Sequence, residues 1–254
     1  MLLAIDIGNT NIVIGIIKDS KIINSWRIGT DKLKTANEYG ILITNLFIFH
    51  KVDLNDIHYS ILSCVVPSLL NVFVETVETY FGCIPIVVGQ GIKTGMPILY
   101  KNPQEVGADR IVNAIAAYEL YHCSLVVVDF GTATTFDCVS NKGEYLGGAI
   151  APGILISSEA LFGSASKLPK VEIIKPDNVI GKTTVQSIRS GLVFGYAALV
   201  DGLVERIKTD LGSNSRVIAT GGLARLISSE SRWIEAIDED LALKGLWILH
   251  ERNR

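Results

Sequence analysis

Two short stretches place an aspartate, one intervening residue and a glycine at the end of an apolar run. They are Asp6-Ile7-Gly8-Asn9-Thr10 and Asp129-Phe130-Gly131-Thr132-Ala133-Thr134. A glycine lets a ligand approach the main chain closely. Around Gly8, the amides and side chains of Asn9, Thr10 and Asn11 are donors of the kind that phosphate oxygens accept. The single carboxylate of Asp6 beside them suits a hydrated Mg²⁺ carried by those phosphates. Glycine and asparagine are equally common in plain hairpins, so one such turn can be read either way. A third stretch, Gly107-Ala108-Asp109-Arg110, opens a helical pattern. An acidic residue in a first helical turn caps and complements the dipole, but an arginine there opposes it. Together the pair suits a carboxylate that accepts a proton and a guanidinium that holds an anionic substrate. Gly221-Gly222, after the run Arg216 to Thr220, can lie flat against a purine or simply join strand to helix.

The elements around these residues are what make the pattern informative. Leu2 to Ile5 and the residues from Ile12 on are rich in β-branched types and read as two strands about the first turn. Leu125 to Cys138 repeats strand, Asp-x-Gly turn and strand. Asp19-Ser20-Lys21 and Asn141-Lys142-Gly143 then supply a polar turn into a further strand in each copy. Recurrence with both flanks reads as an internal duplication. After a third strand over Asn24 to Thr30, apolar positions at helical spacing predict a helix over Thr35 to Phe49. A buried strand over Tyr59 to Val66, a helix over Leu69 to Tyr80 capped by Ser68, and a short strand over Ile84 to Val88 follow. Gly89 to Glu105 reads as a linker, dividing the chain into domains 1–105 and 106–254. In the second half, Gly147 to Gly153 reads as a glycine-rich bend leading into a helix, and Leu161 to Ser166 and Lys170 to Asn178 as irregular. A long helix over Val185 to Leu211 and a last one over Asp240 to His250 complete the expectation. Gly181-Lys182-Thr183-Thr184 is not a Walker A loop, since the pattern's first glycine is missing.

Composition excludes several classes. The 254 residues are 48% hydrophobic and 19% charged with net charge −3, a globular and core-rich balance with no electrostatic footprint for nucleic acid. Met1 runs straight into a strand containing Asp6, so no secretory signal is expected. The longest apolar stretch, Gly191 to Val204, is too short to span a bilayer and contains Asp201. Cys64, Cys83, Cys123 and Cys138 show no metal-ligand spacing and read as thiols of a reducing cytoplasm.

Two Asp-x-Gly turns, a Gly-Gly turn and duplicated β-β-β-α-β-α-β halves resemble the superfamily of acetate and sugar kinases, 70-kDa heat-shock chaperones and actin. Within it the chain resembles the type III pantothenate kinases over essentially its whole length. The likeness rests on D-I-G-N-T from Asp6, Tyr100 to Pro103, G-A-D-R from Gly107, D-F-G-T-A from Asp129, G-G-A-I-A-P-G from Gly147, Thr184 and T-G-G from Thr220. The chain does not depart from the family pattern at these positions. The resemblance implies an α/β fold of two ribonuclease H-like (actin-like ATPase) domains, each a mixed five-stranded sheet with flanking helices. It implies ATP-dependent phosphorylation of pantothenate, the opening step of coenzyme A synthesis. In roles, Asp6 would help place Mg²⁺ while Asp6, Ile7, Gly8, Asn9, Thr10, Asn11, Ile12 and Val13 cradle phosphates. Thr132 would contact ATP, with Gly221 and Gly222 at the adenosine, and Asp109 would be the base. Tyr100, Gly107, Ala108, Arg110 and Thr184 would hold pantothenate, partly across a homodimer. Asp129 would bind a monovalent cation, K⁺ or NH₄⁺. The expected setting is cytoplasmic, without a nucleic-acid or membrane partner. Three alternatives share the fold: an accessory factor in transcriptional activation, an ATPase clamp, and a kinase of another small hydroxylated substrate. Clamp proteins carry extra subdomains for which this chain has no room.

Overall fold

The computed structural model describes residues 1–254, and they form two five-stranded mixed sheets of the same topology. The first contains β1 (Leu2–Ile7), β2 (Asn11–Lys18), β3 (Lys21–Gly29), β4 (Tyr59–Cys64) and β5 (Ile86–Val87), in the order β3-β2-β1-β4-β5. The second contains β6 (Leu125–Phe130), β7 (Ala133–Val139), β8 (Tyr145–Pro152), β9 (Arg216–Gly221) and β10 (Ala236–Ile237). Read in the matching direction its order is β8-β7-β6-β9-β10. In each sheet the three leading strands pair antiparallel and the last two add in parallel. Even a register irregularity recurs, between Ile16 and Ile17 in β2 and between Cys138 and Val139 in β7. This is the duplicated actin-like ATPase fold that the resemblance implies.

By internal contacts the chain divides into two compact units, neither of them a single segment. One comprises Met1–Gly95, Asn102–Ala116 and Ala242–Arg254; the other comprises Met96–Lys101 and Ala117–Leu241. These units differ from the segments 1–105 and 106–254, because the last helix, α7 (Leu241–Asn253), packs in the first unit. Its Leu243 side chain fills the space beside Gly15 of β2, where a Cβ would sit 2.7 Å from it. Gly245 lies so close to the Val112 carbonyl that any side chain there would collide.

In the first unit, alternate residues of β1 and β2 (Leu3, Ile5, Ile7, Ile12, Ile14, Ile16) face one core with α1 (Ala36–Phe49) and α2 (Pro67–Phe81). Period-two alternation sends the intervening residues, Ala4, Asp6, Val13 and Gly15, to the opposite face. Helix α1 starts at a full capping box, with Thr35 and Glu38 bonding each other's backbone N–H. The cap expected for α2 is corrected. Val66 occupies the N-cap without a side-chain bond and Pro67 stands at the first helical position, so Ser68 lies inside the helix.

In the second unit, Val126, Val128, Phe130, Phe136, Val217 and Ala219 pack on α5 (Thr184–Leu211). By length and composition α5 could cross a membrane, a longer span than Gly191 to Val204 alone. Its Ile188, Leu192, Val193, Val200 and Val204 instead belong to the core. The buried Asp201 accepts bonds from Ser231 Oγ and from the backbone N–H and guanidinium of Arg232. The bend expected at Gly147 to Gly153 is mostly strand β8, and the helix after it is α4 (Ile154–Ser164), which takes in part of the expected irregular segment. Helix α6 (Ala224–Ser228) follows the Gly-Gly turn. All four cysteines are free thiols.

Candidate active site

Asp6 ends β1 on the face away from the α1–α2 core. The turn after it is closed by Gly8 N–H donating to Asn11 O at 3.0 Å, and a Cβ on Gly8 would sit 2.8 Å from that same oxygen. Glycine is therefore required for the turn itself. Thr30, just beyond β3, clamps the turn from outside: its hydroxyl donates to Gly8 O at 2.7 Å and its N–H to Thr10 O at 3.0 Å. Thr30 is held in turn by its neighbour Asp31, whose N–H and carbonyl both bond the hydroxyl of buried Tyr39 on α1. Asn9, Thr10 and Asn11 are left facing solvent, while Ile7 and Ile12 are core and Val13 lies on the Asp6 face. The expected eight-residue cradle thus contributes its backbone, three polar side chains and one carboxylate; its isoleucines serve the core.

Helix α3 (Ala108–Tyr121) starts with Asp109 in its first turn. The Asp109 carboxylate folds back and accepts the Arg110 N–H at 2.7 Å. It fits because residue 107 is glycine: a Cβ there would lie 2.6 Å from Asp109 Oδ1. Arg110 is buried at 8% exposure. The structure brings Asp109 within electrostatic reach of Asp6. Burial, and after it the charge of Asp109, push the Asp6 carboxyl up to about 7, against the lowering effects of the Ser63 hydroxyl and Arg27. Burial likewise raises Asp109, opposed by the Arg110 N–H and then by the Arg110 charge. Asp6 Oδ1 is enclosed and accepts no hydrogen bond. Two half-buried carboxylates within electrostatic reach, one with an unsatisfied oxygen, form a site that would gain stability from a cation.

The second turn is tighter by one residue. Gly131 N–H donates to Ala133 O at 3.1 Å, Gly131 is exposed, and Thr132 is half-buried. Asp129 pairs across the sheet with Thr220 and Thr135. Gly221, at φ +92°, packs on its carboxylate so closely that a Cβ would stand 2.5 Å from Oδ1. Gly153, the N-cap of α4, lies against the Thr132 and Gly131 carbonyls with no space for a side chain. Asp129, Gly131, Thr132, Gly153 and Gly221 are thus one constellation. Gly222 follows it, exposed. Tyr100 packs its ring over Gly147 of β8, where a Cβ would be 3.1 Å away. Thr184 begins α5 and lines a cavity of about 310 Å³ with Leu161, Leu168, Ser187, Ile188, Gly191 and Leu192. That cavity is apolar and contains none of the other expected site residues.

A family model described as type III pantothenate kinase matches residues 2–206. The chain belongs to the type III pantothenate kinase family. A protein named type III pantothenate kinase from Geotalea uraniireducens is 58% identical over 254 residues, covering 100% of this chain and 99% of the relative. Solved structures extend the likeness at the level of fold. A conserved Campylobacter jejuni protein assigned to the Baf family of transcriptional activators superposes with TM-score 0.61 at 18% identity, covering 98% of this chain and 97% of its own. The inorganic polyphosphate/ATP-glucomannokinase of an Arthrobacter species does so with TM-score 0.51 at 16% identity, covering 99% of each chain. Two residues that sequence reasoning missed now stand out against the type III pantothenate kinase motifs. Thr30 holds the first turn, and its only sequence signal is a threonine directly after a strand. Gly153 wedges the second; the glycine-rich run was visible, but its partner was not.

Proposed function

We propose that this chain phosphorylates pantothenate to 4′-phosphopantothenate with ATP, the first step of coenzyme A biosynthesis. The observation that carries this reading is Asp6 at a phosphate-type glycine turn with Asp109, at the start of α3, within electrostatic reach of it. Phosphoryl transfer needs positioning and charge neutralisation more than covalent help. The unsatisfied Asp6 Oδ1 fits Mg²⁺, which supplies charge neutralisation at the transferring phosphoryl group when bound. The backbone and polar side chains of Asp6 to Val13 hold the phosphates, with Thr132 on the nucleotide and Gly221 and Gly222 at its adenosine. Asp109 accepts or orients the proton of the pantothenate hydroxyl. Burial raises its pKa above the usual carboxylate value, the direction that makes a carboxylate a stronger base. Arg110 pairs with the pantothenate carboxylate, and Tyr100, Gly107, Ala108 and Thr184 complete the substrate contacts. Asp129, with Thr220 and Thr135 beside it, holds the activating monovalent cation, K⁺ or NH₄⁺. A cytoplasmic homodimer is the working form.

The test is coupled ADP release with ATP, Mg²⁺ and K⁺, with and without pantothenate, on wild type and Asp109→Asn. Pantothenate-dependent turnover that the substitution abolishes is the expected result. Turnover indifferent to pantothenate would overturn the substrate, leaving an ATPase clamp or another kinase. No turnover at all would favour the accessory-factor reading.

A further inference from the structure

The strand registers of the first unit place four residues in one row on one face: Ser63, Asp6, Val13 and Arg27. Asp6 pairs with Ser63 on β4 and with Val13 on β2, and Val13 pairs with Arg27 on β3. Directly paired residues project from the same face of a sheet. This is the face away from the α1–α2 core. Arg27 thus stands two strands from Asp6, about 10 Å across the sheet at the usual strand spacing. It is exposed, and no ion pair or hydrogen bond within the chain holds its guanidinium. It nonetheless acts on Asp6, lowering its pKa through space. In the row between them stands Val13, two residues beyond the exposed Asn9, Thr10 and Asn11 of the turn.

The second unit supplies the control. Its matching row is Thr220, Asp129, Thr135 and Ile150, by the same pairings. The outer position, occupied by Arg27 in the first row, carries Ile150 in the second, 64% exposed. The duplication therefore retains the aspartate and a hydroxyl neighbour in both rows and places a cation in only one. A guanidinium beside a carboxylate–metal site neutralises phosphate oxygens; the same group beside a monovalent-cation site would repel its ligand.

We propose that Arg27 binds the β- and γ-phosphate oxygens of the nucleotide held at the Asp6–Val13 turn, completing the charge neutralisation begun by the metal at Asp6. This rests on the kinase reading above and adds a residue to that site. Being exposed and unpaired, Arg27 is free to be recruited by a polyanion without breaking a contact in the fold.

The test is calorimetric titration of Mg·ADP and of AMP into wild type, Arg27→Gln and Arg27→Lys, alongside steady-state kinetics with ATP and pantothenate. Arg27→Gln is expected to weaken Mg·ADP by about ten- to a hundredfold, the worth of one hydrogen bond to a charged group. AMP affinity and the KM for pantothenate should stay within about twofold, and Arg27→Lys should recover part of the loss. An unchanged melting temperature would show that the fold is intact. Unchanged Mg·ADP affinity in Arg27→Gln would overturn the proposal. A rise confined to the pantothenate KM would overturn it too, by moving Arg27 to the acid substrate. Binding is read without pantothenate, so absence of pantothenate-dependent turnover in wild type would defeat the substrate reading while leaving this inference separately decided.

Discussion

The two Asp-x-Gly turns are copies of one design set in different surroundings. Both end the central strand of a sheet with the same order and the same mixture of parallel and antiparallel pairs. The first is one residue longer, is clamped by Thr30, exposes Asn9, Thr10 and Asn11, and has Asp109 and Arg27 acting on its aspartate. The second is tight, is wedged by Gly153, and has its aspartate pressed against Gly221. A long, donor-rich turn with an unsatisfied carboxylate oxygen suits a metal-bearing polyanion. The short turn, with its half-buried aspartate against Gly221, is where the monovalent cation is proposed. Duplication provided two equivalent turns, and the residues packed around each made their surroundings unequal.

The largest effect should come from exchanging the two aspartates for asparagine. Asp6→Asn is expected to lower kcat by on the order of 10³-fold, because it removes the charge that holds the metal against the phosphates. Asp129→Asn should cost less at saturating K⁺ and act mainly by raising the K⁺ concentration for half-activation. Turnover measured across a K⁺ titration for both variants decides this. Equal losses, with K⁺ dependence untouched in Asp129→Asn, would abolish the distinction between the turns.

Next in size are the glycines, where one motif should show two tolerances. A Cβ at Gly8 would press on Asn11 O at 2.8 Å, whereas at Gly131 it would only touch Ala133 O at 3.6 Å. Gly8→Ala should therefore destabilise by about 1–3 kcal/mol, as overpacking against fixed backbone does, and weaken nucleotide binding. Gly131→Ala should be near neutral for stability. Gly153→Ala, which meets two carbonyls of the second turn, should behave like Gly8→Ala. Denaturant midpoints at constant m-value give the comparison.

Much of the architecture was legible because its signals are local. β-branched runs, turn residues and the recurrence of Asp-x-Gly with both flanks carry the strand order without any tertiary information. What failed was whatever depends on a distant partner. Gly147 and Gly148 look like a bend, yet both lie in β8 through pairing with β7, and position 148 is glycine because a side chain there would strike the Phe136 carbonyl. β10, two residues long, exists through pairing with β9 and has no pattern of its own. Nothing in residues 241–253 announces that they pack beside Gly15 and Val112. The motifs single out Asp6, Asp109 and Asp129 as candidates by residue type and spacing. Thr30 and Arg27 have no such signal, since their positions relative to the first turn follow from cross-strand register, which single-strand periodicity does not set.

A smaller effect concerns pH. Asp6 has a folded pKa of about 7, above its unfolded value near 4. The folded state then binds more protons than the unfolded one between those values, so without ligand its stability falls as pH rises from about 4 to about 7 and levels off beyond. Asp6→Asn should flatten that fall and, at pH 8, make the ligand-free protein more stable while inactive. A melting-temperature profile unchanged by the substitution would mean that Asp6 is not strained by its burial and by Asp109.

The smallest expected effect tests the asymmetry of the outer strand position. Ile150→Arg gives the second row the cation that the first has at Arg27. Ile150 is 64% exposed and partly solvated already, so the fold should accept the change. The new guanidinium would stand two strands, about 10 Å, from Asp129. That is close to one Debye length at physiological ionic strength, so its repulsion of a bound monovalent cation should be modest and screened by salt. The K⁺ concentration for half-activation should rise about two- to fivefold at low ionic strength, an energy below about 1 kcal/mol, as expected for exposed charges. It should return toward wild type when choline chloride is added, with kcat at saturating K⁺ unchanged. A K⁺ requirement indifferent to Ile150→Arg at low salt would mean that the charge difference between the rows does not separate their ligands. The division between the turns would then rest on turn length and on the Asp6–Asp109 pair alone.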